Sequence, residues 1–333
     1  MTVLLREVSA DEADIRLDRW LRRHYPDLTQ GVIQKLCRTG QLRVDSARVE
    51  AATRLAPGQI IRIPPLPSPP PAEVVAPPPI DPKLRAEVER LILYQDAQIV
   101  VLNKPSGLPT QGGPGISRHL DGMLRALATT PADKPRLVHR LDRDTSGVIV
   151  VARSPGVAAK LAASFRSRAV QKTYWAVVKG RPVPVEGRVE LALSRGDPSF
   201  SKSRAARVTV AEEGDADAAH AITDYRTLDH AARKLAWLEL QPLTGRTHQL
   251  RVHCLSLGAP ILGDSAYGEW RETGNTALVE GLSEQLHLHA RRLSFPHPKG
   301  GTLIVEADLP PHMAETFRDL GFTAPAAAPP QWR

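Results

Sequence analysis

Cysteine is scarce in this chain. Cys37 and Cys254 stand far apart among 333 residues. They offer no disulfide framework, and a reducing compartment, the cytoplasm, fits such usage best. Long apolar runs are also missing. No stretch reaches the ~18 residues that mark a membrane-spanning helix. The opening Met1-Thr2-Val3-Leu4-Leu5-Arg6-Glu7 turns charged before an apolar core can form, so no secretory leader is expected. Metal-ligand spacing is absent too. His248 and His253 lack cysteine partners, and His287 and His289 have no acidic cluster near them in sequence. No metal and no cofactor is expected. No internal repeat is visible.

What the chain does have is positive charge and proline. With 44 Lys and Arg against 36 Asp and Glu, its formal net charge is +8. An excess of that sign favours polyanionic partners through counterion release, although a solvated basic surface gives the same composition. Prolines crowd Pro64-Pro65-Leu66-Pro67-Ser68-Pro69-Pro70-Pro71 and Pro77-Pro78-Pro79. Such a stretch cannot form helix or inner strand and reads as a stiff spacer. The expected organisation is an extension at 1–13, a basic module at 14–63, a proline-rich linker at 64–83, a main domain at 84–320 and a loose Ala/Pro-rich tail at 321–333.

The basic module holds ten Lys and Arg against five Asp and Glu, which is +5 of the total +8. Leu17, Trp20 and Leu21 share one helical face; Arg16, Arg19 and Arg23 share another. Thr29 is a candidate N-cap for a second helix that buries Val32, Ile33 and Leu36 and carries Lys35 and Arg38. Gly40 suits its end. Leu42-Arg43-Val44 and Gln59-Ile60-Ile61-Arg62-Ile63 read as strands. Two basic helices beside a small hairpin suit an RNA backbone.

In the main domain, irregular alternation of strands and helices indicates α+β rather than a regular βαβ array. Buried strands are expected at 98–102 and 147–152, further strands at 173–178 and 234–240, and a helix at 157–168. The acidic segment Glu212 to Asp217 is odd for an RNA face and is assigned to a hairpin away from the substrate.

Chemistry concentrates in a few segments. Asp142 precedes a buried strand, between Arg140 and Arg143, ahead of the turn Asp144-Thr145-Ser146-Gly147. Taken alone, such an aspartate reads as a structural ion pair or turn cap ahead of a reacting carboxylate. The segment Thr244-Gly245-Arg246-Thr247-His248-Gln249-Leu250-Arg251 is dense in hydrogen-bond donors, and its guanidinium groups suit carboxylate or phosphate. His139-Arg140-Leu141-Asp142 is not a kinase loop, because no Asp-Phe-Gly and no matching glycine-rich loop accompany it.

Several strings stand in order: Leu102-Asn103-Lys104-Pro105-Ser106-Gly107, His139 to Gly147, and Gln171-Lys172-Thr173-Tyr174. Gly245 to His253 follows, then Pro260-Ile261-Leu262-Gly263-Asp264 with Tyr267. Leu288-His289-Ala290 precedes Phe295-Pro296-His297-Pro298. Together the set resembles the RluA-type pseudouridine synthases over nearly the whole chain. The basic module resembles an S4 RNA-binding domain. Gln111-Gly112-Gly113-Pro114-Gly115 and the Arg143-Asp144 pair resemble the RluC-type branch, which modifies large-subunit ribosomal RNA.

The resemblance implies a pseudouridine synthase fold: α+β, a mixed, largely antiparallel sheet with flanking helices, plus a small N-terminal S4-like α+β domain. It implies that uridine is isomerised without cofactor, the base being flipped out of its stack. Asp142 is then the catalytic carboxylate, kept ionised by Arg251. It attacks C1′, adds to the base or takes a sugar proton. Tyr174 matches the tyrosine that stacks on uracil, with a hydroxyl that helps exchange the C5 proton. Leu288 is the apolar wall. His139, Arg140 and Arg246 are on the substrate side. Arg16, Arg19, Arg23, Lys35 and Arg38 bind RNA backbone. Expected partners are large-subunit ribosomal RNA and ribosome assembly intermediates, with no membrane and a monomeric chain. Two rivals stand beside this reading: a non-catalytic RNA-binding or ribosome-assembly protein, and an N-glycoside hydrolase using Asp142 with Asp144.

Overall fold

The computed structural model describes residues 3–333 apart from 10–11, 13, 26–27, 67–80, 129–132, 197–207, 213, 216, 233 and 268–278. Most of the proline spacer therefore lies outside the described residues. The chain divides into two compact units, Met1–Pro78 and Pro79–Arg333.

In the first unit β1 (Leu4–Glu7) is followed by α1 (Leu17–His24), α2 (Gln30–Arg38), β2 (Arg43–Val44), β3 (Ala47–Arg48) and β4 (Ile60–Ile63). The four strands form an antiparallel sheet in the order β1-β4-β2-β3. Leu17, Trp20 and Leu21 of α1 meet Ile33, Ile61 and Ile63 in one core. The hydroxyl of Thr29 caps α2 by accepting from the Val32 amide at 3.4 Å, and Gly40 follows with φ +69°. Glu12, buried, accepts from the Trp20 indole at 2.8 Å. The stretch 1–13 is not a separate extension, because β1 is an edge strand of this sheet. Leu4 and Leu5 are both exposed, so the strand lacks the alternation that would reveal it, and ladder hydrogen bonds to β4 hold it instead.

The second unit runs α3 (Pro82–Glu89), β5 (Ile92–Gln95), β6 (Ile99–Lys104), α4 (Leu120–Met123), β7 (Arg136–Leu137), β8 (Ser146–Ala152), α5 (Pro155–Arg166) and β9 (Gln171–Lys179). It continues with β10 (Glu186–Arg195), β11 (Val208–Val210), β12 (Ala219–Ala231), β13 (Leu235–Pro242) and α6 (Gln249–Ser256). Last come β14 (Leu288–Pro296), β15 (Thr302–Glu306), α7 (Pro311–Leu320) and β16 (Gln331–Trp332). One 12-stranded sheet has the path β11-β10-β12-β13-β9-β14-β8-β6-β5, with β7 beside β8 and β15 and β16 beyond β14. Every pairing is antiparallel except β8 with β14. This is the expected α+β fold with a mixed, largely antiparallel sheet and flanking helices.

β8 is wholly buried, as its run of Val and Ile requires. One of its faces packs with Leu161 and Phe165 of α5, the other with Leu120 and Met123 of α4. The parallel junction is tight. Gly147 has φ +110°, and a Cβ there would lie 2.3 Å from the Ala290 carbonyl oxygen. Only glycine fits.

Two further expectations need correction. The tail is not loose. The Pro325 carbonyl accepts from Arg291 at 2.9 Å, the Ala327 and Ala328 amides donate to Asp308 and Glu306, and β16 pairs with β15. These are long-range polar ties that an Ala/Pro composition does not disclose. The acidic segment is not a simple hairpin either, since it links β11 to β12, which flank β10.

Candidate active site

The loop carrying Asp142 is held from beneath. Lys104, fully buried at the end of β6, donates through Nζ to the carbonyls of Pro105, Leu108 and Arg143 at 2.9, 2.8 and 2.9 Å. Ser106 Oγ donates to the Asp144 carbonyl at 2.8 Å, and Thr110 Oγ1 donates to the Leu141 carbonyl at 2.5 Å. The main chain on both sides of Asp142 is thus pinned by side chains of 104–110. Burial pushes the Lys104 ammonium down to about 7, against the pull of Asp144 and Asp142. Three carbonyl acceptors oppose that shift, since only the ammonium has a third N–H to give.

The flanking arginines do not neutralise Asp142. Arg143 makes a bidentate pair with Asp144 at 3.0 and 3.2 Å, and Arg140 is exposed. Asp144 is thereby engaged outside the site, which removes it as the second carboxylate of a hydrolase pair. The groups facing Asp142 come from the start of α6, one guanidinium and one imidazole. Arg251 Nη1 and His248 Nε2 each lie 3.9 Å from Asp142 Oδ2. Both distances are too long for a hydrogen bond.

Arg251 is itself fixed by a second carboxylate. Its Nε and Nη2 donate to Asp264 at 2.7 Å each, and its guanidinium lies 4.9 Å from the Tyr267 ring centre. Asp264 also accepts from the Ala266 and Tyr267 amides at 2.9 and 3.0 Å. Burial works against the charge on Arg251; the hydrogen bonds and charge of Asp264 outweigh it and raise the guanidinium pKa. Gln249 secures the turn before α6. It accepts from Thr244 Oγ1 and the Arg246 amide and donates to the Ile222 carbonyl and Thr223. His248 begins the helix in the left-handed region, φ +53°.

A cavity of about 600 Å³ opens at Asp142, a size ordinary for a small-molecule site. Tyr174 and Leu288, from adjacent strands β9 and β14, form part of its wall. Burial, then the charge of Asp142, pushes the Tyr174 hydroxyl well above its ordinary pKa, so it holds its proton. His139 also borders the cavity, but its Nε2 accepts from the Val150 amide at 3.0 Å and its ring stacks on Phe165 at 4.4 Å. Burial, with Lys172 nearby, takes it down to about 3. It is a neutral brace for the loop. Arg140 and Arg246 stand at the rim, the latter donating to the His220 carbonyl at 3.1 Å.

The first unit presents Arg19, Arg23, Lys35 and Arg38 exposed. Arg16 is bound instead to Asp18 through two hydrogen bonds, at 3.2 and 2.7 Å. Sequence reasoning overlooked Lys104, His248 and the anchoring role of Asp264. It also missed the rim cations Arg166, Arg168 and Lys172. The recurring strings contain the first three, but what each touches depends on residues far along the chain. Among the described residues, no group of three or more His, Cys, Asp or Glu is arranged to hold a metal.

This geometry joins a recessed carboxylate to a basic rim and to one aromatic and one apolar wall. It suits a single nucleotide base drawn out of a polyanion. The family model for RNA pseudouridylate synthases matches residues 98–256. Ribosomal large subunit pseudouridine synthase C of Rickettsia bellii is 36% identical, over 89% of this chain and 94% of its own. RNA pseudouridine synthase 4, mitochondrial, of Arabidopsis thaliana is 37% identical, over 87% of this chain and 72% of its own. Among solved structures, human RNA pseudouridylate synthase domain containing 4 is 33% identical, with a TM-score of 0.60, over 73% of this chain and 97% of that one. Fold, site and relatives agree on an enzyme of RNA modification. The chain belongs to the RNA pseudouridylate synthase family, of the RluA type, whose reaction turns uridine in RNA into pseudouridine.

Proposed function

We infer that this enzyme modifies specific uridines of large-subunit ribosomal RNA, with Asp142 as its reacting carboxylate. The observation that carries the reading is the placement of Asp142, pinned on both sides and facing Arg251 and His248 across the cavity. The relatives named for the large ribosomal subunit support the substrate.

In the reaction the N1–C1′ bond breaks, the uracil turns, and C5 bonds to C1′. Attack at C1′, addition to the base and removal of a sugar proton are all open to Asp142. Each uses an anionic carboxylate in a site that keeps water out. Arg251 stabilises that anion at 3.9 Å while Asp264 holds the guanidinium still. Tyr174 supports the flat face of the base and Leu288 closes the apolar side. Flipping the nucleotide costs a few kcal/mol, which phosphate contacts at Arg140 and Arg246 offset.

The first unit acts as an S4-like RNA-binding domain through Arg19, Arg23, Lys35 and Arg38, with Arg16 held back by Asp18. Asp142, Tyr174, Arg251 and Leu288 of a single chain line the cavity, which suits an enzyme that acts as a monomer. Its substrate is RNA in ribosome assembly intermediates. The free cysteines Cys37 and Cys254 suit the cytoplasm.

The test is carbodiimide mapping of pseudouridine in ribosomal RNA from cells with wild-type or Asp142→Asn enzyme. Specific large-subunit marks disappear in the variant. Survival of every mark would mean that the residue or the substrate is wrongly assigned.

A further inference from the structure

Formation of the carbon–carbon bond leaves one chemical task undone. C5 of the bonded uracil then carries both C1′ and a hydrogen, and a base has to remove that proton. C5 is at that stage joined to C1′, and every route open to Asp142 puts its carboxylate at C1′, at a neighbouring sugar carbon or on the base itself. The base must therefore stand beside Asp142.

Five side chains bordering the cavity could in principle exchange a proton: Asp142, His139, Lys172, Tyr174 and His248. Asp142 is committed to the first half of the reaction. The Nε2 lone pair of His139 is taken by the Val150 amide at 3.0 Å. Lys172 Nζ donates to the Thr244 carbonyl at 3.0 Å and, lowered only to about 8 by burial, is mainly an ammonium without a lone pair at neutral pH. Tyr174 is a phenol that keeps its proton, for burial and the neighbouring Asp142 both disfavour the phenolate. His248 differs from all four. Its Nδ1 is 2.8 Å from the Tyr267 hydroxyl oxygen, and Nε2 is directed at the cavity, 3.9 Å from Asp142 Oδ2.

We propose that His248 is the base that takes the C5 proton from the turned uracil. This role requires the tautomer in which Nδ1–H donates to the Tyr267 oxygen, 2.8 Å away, an oxygen that also accepts from the Val208 amide at 3.0 Å. Nε2 is then an acceptor. The C5–H bond breaks and its electron pair becomes the C5=C6 double bond. The C6=N1 pair moves onto N1, which takes a proton from water. The proton from C5 goes to Nε2 and returns to solvent, so the product is an isomer and nothing else is consumed. The imidazolium formed lies next to the Asp142 carboxylate, which stabilises it.

The groups facing His248 are Asp142, Arg251, Asp264, Arg140 and Tyr267. Burial is the largest influence and favours the neutral ring. Arg251 and Arg140 work the same way, while Asp142 and Asp264 work against them, and the balance is a lowered pKa. At neutral pH the ring is ready to accept.

The assignment rests on Asp142 reacting first, and the test separates the two. Single-turnover release of tritium from [5-³H]uridine in transcribed large-subunit RNA is measured for wild type, His248→Gln, His248→Asn and Asp142→Asn. [5-²H]Uridine RNA is run in parallel. The asparagine amide can replace Nδ1–H and keep the Tyr267 contact, but neither variant has a base at Nε2. Both are expected to melt and bind RNA like wild type, to react about 100-fold or more slowly, and to develop a deuterium isotope effect at C5. Wild-type rate falls as pH is lowered through the histidine titration, and the variants lose that dependence. Recovery of the wild-type rate by His248→Asn would assign His248 a structural role and overturn the proposal. So would a slowed His248→Gln without an isotope effect. Wild-type turnover by Asp142→Asn would overturn the reading of Asp142 and this one with it.

Discussion

Arg251 points two guanidinium nitrogens at Asp264, each at 2.7 Å, and a third at Asp142, at 3.9 Å. The cation that faces Asp142 is therefore itself aimed by a second, more deeply buried carboxylate. Asp264 is 3% exposed and Arg251 7%, so removing either partner strands a buried charge. Asp264→Ala is expected to cost ~3–5 kcal/mol of stability. Asp264→Asn keeps the shape but loses the charge, and should lower kcat more than it weakens RNA binding. Denaturant unfolding and single-turnover rates check both. Arg251→Lys is not a mild change, because an ammonium cannot hold the bidentate geometry.

Lys104 offers a second handle on the same loop. Lys104→Met preserves bulk but leaves three carbonyls without their donor. Activity should fall at least tenfold while RNA affinity stays within about twofold, because the defect is in the placement of Asp142. Activity and filter-binding assays compared on one preparation decide it. Equal losses in both would assign Lys104 to RNA binding.

Acid should destabilise the second unit through buried histidines. Burial takes His253, His287 and His289 down to about 4 each, from an ordinary 6.5. His289 donates Nε2–H to the Ala307 carbonyl and accepts at Nδ1 from Ser146 Oγ, so it is neutral in the fold. A depressed histidine pKa means that the unfolded chain binds more protons between pH 6.5 and 4. Stability is complete above pH 6.5 and declines below it, by up to about 1.4 kcal/mol per pH unit for each histidine. His289→Asn should flatten the slope by one histidine's share in urea unfolding followed from pH 7 to 5.

Gly147→Ala tests the junction between β8 and β14. The new methyl would meet the Ala290 carbonyl at 2.3 Å on a backbone with φ +110°. The loss should be on the order of 3 kcal/mol or more, read as a fall in Tm. Gly156→Ala is the control: it lies in α5, and a Cβ there has nothing within 4 Å.

Salt titration tests the basic face of the first unit. Replacing Arg19, Arg23, Lys35 and Arg38 by glutamine should lower the slope of log K against log[salt] by about 1 for each phosphate that the protein no longer neutralises. Arg16→Gln should barely change that slope, since Asp18 already occupies the guanidinium.

How much of this was legible beforehand follows the range of the interactions. α2 was readable from Thr29 and its apolar spacing, and β8 from its unbroken Val and Ile, because both signals are local. β1 was not, since its edge pairing with β4 bridges more than fifty positions and its side chains do not alternate. The tail was misread for the same reason: Arg291, Glu306 and Asp308 hold it from outside. In the site, the order of the strings led to Asp142, Tyr174 and Arg251, which the fold brings to one cavity. The aim of Arg251, the brace under the loop and the place of His248 depend on how 104–110, 139–144, 248–251 and 264–267 meet in space. Asp142 has Arg140 and Arg143 near it in sequence, yet its ion contacts are with Arg251 and His248.

The most direct measurement is single-turnover pseudouridine formation by purified Asp142→Asn on transcribed large-subunit RNA, with RNA affinity measured on the same sample. The variant should bind RNA like wild type and form no pseudouridine. Product formed at near the wild-type rate would contradict the account, because Lys104, Arg251 and Asp264 would then be organising a carboxylate that the reaction does not use.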